Sequence, residues 1–117
     1  WEYEPATNAW TQKANYIGNN GIGTYAALSF GGNQKGYVGS GQVGSSAEFF
    51  QYSPTTNSWT AMANCPASFA NGQGFSVGTK GYALTPGTSN FYEYDFSSNI
   101  WTLKNRPYSP IIRFLFY

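Results

Sequence analysis

One eleven-residue pattern occurs three times in this 117-residue chain, and it limits the fold more than any other feature. Residues 1–11 read Trp-Glu-Tyr-Glu-Pro-Ala-Thr-Asn-Ala-Trp-Thr, and 50–60 read Phe-Gln-Tyr-Ser-Pro-Thr-Thr-Asn-Ser-Trp-Thr. Residues 92–102 read Tyr-Glu-Tyr-Asp-Phe-Ser-Ser-Asn-Ile-Trp-Thr. The copies share Tyr3/Tyr52/Tyr94, Asn8/Asn57/Asn99 and Trp10/Trp59/Trp101, each Trp followed by Thr. Self-similarity at near-fixed spacing marks a repeat architecture. In each copy two aromatics flank one polar residue (Phe50-Gln51-Tyr52), the period-2 pattern of a strand with one face on a core. Pro54 presets a turn backbone, and Asn57 tolerates the left-handed region, so a turn follows. The Trp then opens a second strand. Each copy is predicted to be a β-hairpin; the third has Phe96 in place of Pro5 and Pro54, and Asp95, Ser97, Ser98 and Asn99 favour its turn.

Between the copies a second hairpin recurs. Lys35-Gly36-Tyr37 is matched by Lys80-Gly81-Tyr82, and Phe30 by Phe75. Strands are expected over 24–30 and 36–41, with a turn at Gly31–Gln34, and over 74–77 and 81–84, with a turn at Gly78-Thr79. The composition agrees: 20% aromatic, 9% charged and 14 glycines favour strands punctuated by turns, and no window has helical periodicity. The expected fold is therefore all-β, with units of four short antiparallel strands.

These residues carry a family resemblance. A strand-turn-strand with Gly-Tyr-Val-x-x-Gly at Gly36–Gly41, followed by Tyr-x-Pro-x-Thr-Asn-x-Trp-Thr at Tyr52–Thr60, resembles the kelch repeat. In that family each repeat is one four-stranded blade of a β-propeller. The wording is similar to kelch-like repeats of secreted and surface proteins of Bacteroidetes-type bacteria, which implies an extracellular, cell-surface or periplasmic setting. The likeness covers residues 1 to about 107. It departs at the paired glycine, Gly31-Gly32 in one repeat and Gly78 alone in the next. The implied division is the second hairpin of one blade at 1–14, full blades at 21–63 and 72–104, and the first strand of a next blade at 110–117. That makes about two and a half blades and an incomplete ring, so the expected partners are other blades, in cis or in trans. The chain starts at Trp1 in mid-motif without a Met, and is expected to have lost its true N-terminus.

Spacing bears on function. The Trp-to-Trp distance falls from 49 (Trp10 to Trp59) to 42 (Trp59 to Trp101). Four of the lost residues come from the inter-blade connection and three from the loop joining the second and third strands. In an up-and-down sheet both loop classes lie at one end and the Tyr-x-Pro turns at the other. Binding concentrates on variable loops carried by a rigid scaffold. Recognition of a protein or glycan is therefore expected at Asn19, Asn20, Gln42, Ser45, Ser46, Ser68, Phe69, Asn71, Thr88, Ser89, Asn90, Arg106 and Tyr108. Phe69 and Tyr108 break the repeat pattern and are the expected aromatic contacts. The plain alternative for each of these residues is a solvated loop. The repeated Tyr3, Tyr52, Tyr94, Trp10, Trp59 and Trp101 are read as packing between repeats, because large aromatics dominate cores.

Other functions are disfavoured. Without a His the chain has no Ser-His-Asp, Cys-His or His-metal chemistry, and no acid pair is placed for glycoside cleavage. Glu2 and Glu93 sit on the strand face away from the aromatics, as does Gln51, and are expected to be solvated. Neither an enzyme nor a cofactor is expected. A net charge of +1 with dispersed basic residues argues against nucleic acid. No apolar run approaches the roughly 20 residues of a membrane span. Cys65 is single, so no intrachain disulfide forms. A binding or scaffold module is the leading reading. A subunit of an extracellular filament and a fragment of a kelch-type carbohydrate-active enzyme are the alternatives.

Overall fold

The computed structural model describes residues 1–42, 47–85 and 90–105. Within them the chain is all-β apart from one short 3-10 turn at Asn19–Gly21. Strands β1 (Glu2–Glu4) and β2 (Ala9–Thr11) form a two-stranded hairpin. Next comes a four-stranded antiparallel sheet of β3 (Leu28–Gly32), β4 (Lys35–Gly39), β5 (Phe49–Ser53) and β6 (Ser58–Ala61). A second such sheet holds β7 (Gln73–Val77), β8 (Lys80–Leu84), β9 (Phe91–Asp95) and β10 (Ile100–Lys104). Every strand pairs with its sequence neighbour, so both are up-and-down sheets with the form of propeller blades, and no sheet closes on itself. Residues 106–117, with the strand expected at 110–117, lie outside the described residues.

The three hairpins are superimposable in chemistry. Tyr3 pairs with Trp10, Tyr52 with Trp59 and Tyr94 with Trp101 across their strands, with ring centroids 5.0, 5.1 and 4.9 Å apart. Each turn ends on an Asn at positive φ (Asn8 51°, Asn57 49°, Asn99 58°), the left-handed region that Asn enters most easily among residues bearing a side chain. The third turn does without proline because the Asp95 carboxylate accepts the N–H groups of Ser97 and Ser98 at 2.8 and 3.0 Å. The freed position carries Phe96, which leaves the turn to stack on Tyr37 of the first blade, centroids 4.9 Å apart.

One strand expectation is corrected. β3 starts at Leu28, not at Thr24, because Ala26 lies at φ 53° and breaks the extended chain. The core fills the seam between the two blades. Leu28, Phe30, Tyr37 and Phe49 of the first blade meet Ala83, Tyr94 and Phe96 of the second, with Cys65 and Phe69 of the connection beside them. Gly74 and Gly81 of β7 and β8 let the sheets approach, since a Cβ on either would run into Leu28 or Phe30. Among the described residues no helix is long and apolar enough to cross a membrane.

Candidate functional site

The turns and loops segregate as the meander requires. The turns at Asn33-Gln34 and Gly78-Thr79 share one end with the Tyr-to-Trp turns. Their left-handed residues, Asn33, Gln34 and Gly78, make them tight. The long connections share the other end and are tied together there by backbone hydrogen bonds. Gln42 donates its N–H to Tyr25 O and Asn71 donates to Ala26 O, at 3.0 and 2.9 Å. Two of the candidate residues are thus brought to consecutive carbonyls of one loop. Asn19 is anchored in the same region, its N–H donating to Glu48 Oε2 at 2.8 Å and its Nδ2 to Gly23 O at 3.0 Å. Asn20 is exposed at φ 53°, and Gln42, Ser68 and Asn71 are also exposed. Asn90 is half-buried, and its carbonyl accepts the N–H of Thr85 at 3.3 Å. Ser45, Ser46, Thr88, Ser89, Arg106 and Tyr108 lie outside the described residues.

Phe69 is corrected. Expected as an aromatic contact for a ligand, it is fully buried and packs against Tyr92 and Trp101, centroids 5.6 and 5.5 Å away. Its N–H donates to Ser40 Oγ at 2.7 Å, an internal tie between the two connections. Apolar burial outweighs any binding role for a ring with no solvent access.

The polar strand face is also less solvated than expected. Glu2 remains half-exposed and pairs with Lys13 at 3.1 Å. Glu93 is largely buried, accepting the Tyr82 hydroxyl at 3.0 Å and pairing with Lys104 at 3.5 Å. Lys80 bonds Asp95 on the same face, and this amine, then the Ser97 hydroxyl and the N–H groups of Ser98 and Ser97, hold the Asp95 carboxyl well below its usual range. The first blade uses neutral partners at the same positions: Lys35 to Ser53 Oγ at 2.8 Å, and Gln51 Nε2 to the Tyr37 hydroxyl at 2.9 Å. These are cross-strand struts, and each is satisfied internally.

The three tryptophans differ in surroundings. Trp101 is wedged between Phe49, Phe69 and Tyr94, and Trp59 lies against Tyr16 and Tyr52. Trp10 touches Tyr3 and is 64% exposed. The repeated Asn does more than turn the chain. Asn57 Oδ1 accepts the N–H of Ala14 at 2.8 Å, and Asn99 Oδ1 accepts that of Ala63 at 2.9 Å. The indole N–H of Trp59 and Trp101 reaches the carbonyls of the same two alanines at 3.1 and 3.2 Å. The second and third hairpins therefore each grip one residue of the preceding repeat by both its backbone groups. Sequence reasoning missed this grip, although an alanine four residues after both Trp10 and Trp59 was the signal for it.

An open cleft of about 260 Å³ lies where the first hairpin meets the first blade, between Trp1, Glu2, Lys13, Ala14, Tyr52 and Trp59. The second seam places Phe50, Gln51, Met62, Ala63, Tyr94 and Trp101 at the equivalent positions, and there Phe49 and Phe69 fill the space. The buried Cys65 is pushed up to about 12, chiefly by burial, so at neutral pH it is an un-ionised, poorly nucleophilic thiol. Among the described residues no group of three or more metal-ligating side chains converges. Searches against protein-family models and curated proteins found no match to this chain.

Proposed function

We propose that this chain is part of a kelch-like propeller that works as a binding or scaffold module on or outside a bacterial cell, recognising a protein or glycan without catalysing a reaction. The supporting observation is the contrast between its two ends. One carries tight turns of constant length, two residues at Asn33-Gln34 and Gly78-Thr79 and four in each Tyr-to-Trp hairpin. The other carries long connections of unequal length, bound to one another and offering the exposed carboxamides of Asn20, Gln42 and Asn71. Exposed amides on a rigid platform suit recognition of hydroxyl-rich or backbone surfaces, to which they offer both donor and acceptor.

The test is a screen of the full chain on immobilised glycans and on displayed peptides. Any binder found is repeated with Asn20→Ala, Gln42→Ala and Asn71→Ala combined, and separately with Thr7→Ala and Thr56→Ala at the turn end. Loss with the loop set and retention with the turn set supports the reading. The reverse pattern overturns it. A subunit of an extracellular assembly is the second reading, favoured by the solvent-exposed aromatic pair of the first hairpin.

A further inference from the structure

The two inter-blade connections differ by four residues, and the backbone shows where the extra four sit. In the first connection Gly23 donates its N–H to Gly18 O at 3.3 Å, pinching off Asn19–Ile22 as a closed loop. With that loop set aside, Gly18 follows Trp10 at the distance at which Ala67 follows Trp59. The left-handed Ala26 then falls on the left-handed Asn71. The loop is braced from within. Gly21 donates to Ile17 O and Gly18 O, at 3.2 and 3.1 Å, and Ile22 donates to Asn19 O at 3.0 Å. Asn19 ties it to the first blade through Glu48 Oε2 and to its own neck through Gly23 O. Yet Ile22 is 82% exposed, and Ile17 and Tyr25, on either side of the neck, are 46% and 60% exposed. A lone exposed apolar residue is ordinary, but three within nine residues around one closed neck form a surface cluster. The second connection closes its seam without such a loop, so the fold does not require it.

Nor does the exposure of the loop depend on a neighbouring repeat. Where a connection lies against the blade before it, the contacts run through Cys65, Ala67, Phe69 and Asn71. Cys65 donates its N–H to Ala47 O and Asn71 donates to Ala26 O, at 2.8 and 2.9 Å. The Ser40 hydroxyl donates to Ala67 O at 3.4 Å and accepts the N–H of Phe69 at 2.7 Å. The equivalent positions in the first connection are Tyr16, Gly18, Thr24 and Ala26, all outside Asn19–Ile22. Pro66, the equivalent of Ile17, is exposed with that neighbour in place. A repeat seated ahead of the first blade in this manner would leave Ile22 in water.

We propose that Asn19–Ile22 is a recognition loop that inserts Ile22 into an apolar pocket of a protein partner. This rests on the reading of the loop end as a binding surface, and narrows it from protein or glycan to protein. A branched alkyl side chain has no flat face on which a sugar ring stacks. A hydroxyl-rich glycan, in turn, has no desolvated pocket to receive it, whereas interface anchors of proteins sit in such pockets. No residue of 14–27 is charged, and the Glu48 carboxylate that reaches the loop accepts the Asn19 N–H, so the complementary surface is apolar rather than ionic. The exposed Asn20 carboxamide beside Ile22 offers a donor and an acceptor to the partner's backbone at the rim. Because the loop is already hydrogen-bonded to itself, little ordering cost remains to be met on binding.

Two arms on the full chain test it: a display library of random peptides and an array of immobilised glycans. Peptides selected on the unmodified chain are expected to be rich in apolar residues. They should lose binding by at least about tenfold to Ile22→Ser, and likewise to a chain in which Gly18 is joined directly to Gly23. Ile22→Ser alters a side chain already in water, so it reads the loop's role whatever the deletion does to the fold. Circular dichroism confirms that the variants keep their β-structure. Peptides indifferent to Ile22→Ser overturn the inference, and their loss with Gln42→Ala and Asn71→Ala combined would leave the loop-end reading standing. A glycan ligand in place of any peptide overturns it in favour of sugar recognition. No binder in either arm overturns it together with the reading on which it rests.

Discussion

The seam between the two blades and the face of the first hairpin are built from the same residues and end in opposite environments. Tyr94 is fully buried while its equivalent Tyr3 is 42% exposed, although both bond the repeat asparagine and stack on the repeat tryptophan. What differs is the neighbour. Tyr94 and Trp101 meet Phe49, and Phe30 beyond it, whereas Tyr3 and Trp10 meet only each other among the described residues. A hairpin therefore carries its own shape locally, but its stabilising burial comes from the sheet on its flank. An isolated two-stranded hairpin is marginal in water, so the same motif is a structural wedge in one place and an exposed aromatic face in the other.

The largest effect that sharpens this contrast is truncation of the paired tyrosines. Tyr94→Ala empties a sealed seam and is expected to cost roughly 3–5 kcal/mol of unfolding free energy. Tyr3→Ala should cost under about 1 kcal/mol. Urea denaturation followed by fluorescence decides between them, and equal costs would break the comparison. Next comes the glycine pair. A Cβ at Gly81 collides with the Phe30 ring, whereas one at Gly36, the same repeat position, comes no closer than 3.9 Å to Tyr52. Gly81→Ala should therefore destabilise by about 1–3 kcal/mol. Gly36→Ala should stay within about 0.5 kcal/mol of the unmodified chain.

The asparagines isolate the grip on the preceding repeat. Asn99 and Asn8 both sit at positive φ, so an alanine strains the backbone equally at either site. Asn99→Ala additionally leaves the Ala63 N–H without its partner, an excess cost of about 1–2 kcal/mol over Asn8→Ala. Chemical denaturation of both variants reads that excess directly.

The smallest effect separates the two blades by pH. The Asp95 carboxyl is held below its ordinary value by Lys80, whereas the first blade has the uncharged Ser53 at that position. A group whose folded value is depressed contributes fully above its unfolded value and loses that contribution as pH falls toward the folded one. Stability should therefore decline as the pH drops below about 4, and Asp95→Ser should flatten that decline. Thermal unfolding between about pH 2 and 7 measures it. Cys65 acts at the other extreme: its raised value keeps the folded thiol neutral while the unfolded one ionises, so stability falls as pH rises from 9.0 toward about 12.

Much of this fold was legible in the chain because its signals are local. Alternating aromatics and turn residues placed the hairpins, and the recurrence of Lys-Gly-Tyr placed the inner strands of both sheets. The errors fell where a residue's partner is remote. Phe69 looked like an exposed contact because it interrupts the repeat, yet it interrupts the repeat to fill the seam beside Trp101. Phe96 stood only as the residue replacing Pro5 and Pro54, and it crosses the seam to stack on Tyr37. Glu93 shared a strand face with Gln51, but Tyr82 and Lys104 close over it.

By itself the amino-acid sequence determined which segments are strands, which are turns and that the units repeat, because pleat periodicity and turn chemistry act between residues a few positions apart. Only the tertiary structure decided which of three equivalent aromatic pairs is buried and which asparagine grips a neighbouring backbone. Burial and the pairing of polar groups depend on what lies across the seam, and identical motifs carry no record of that.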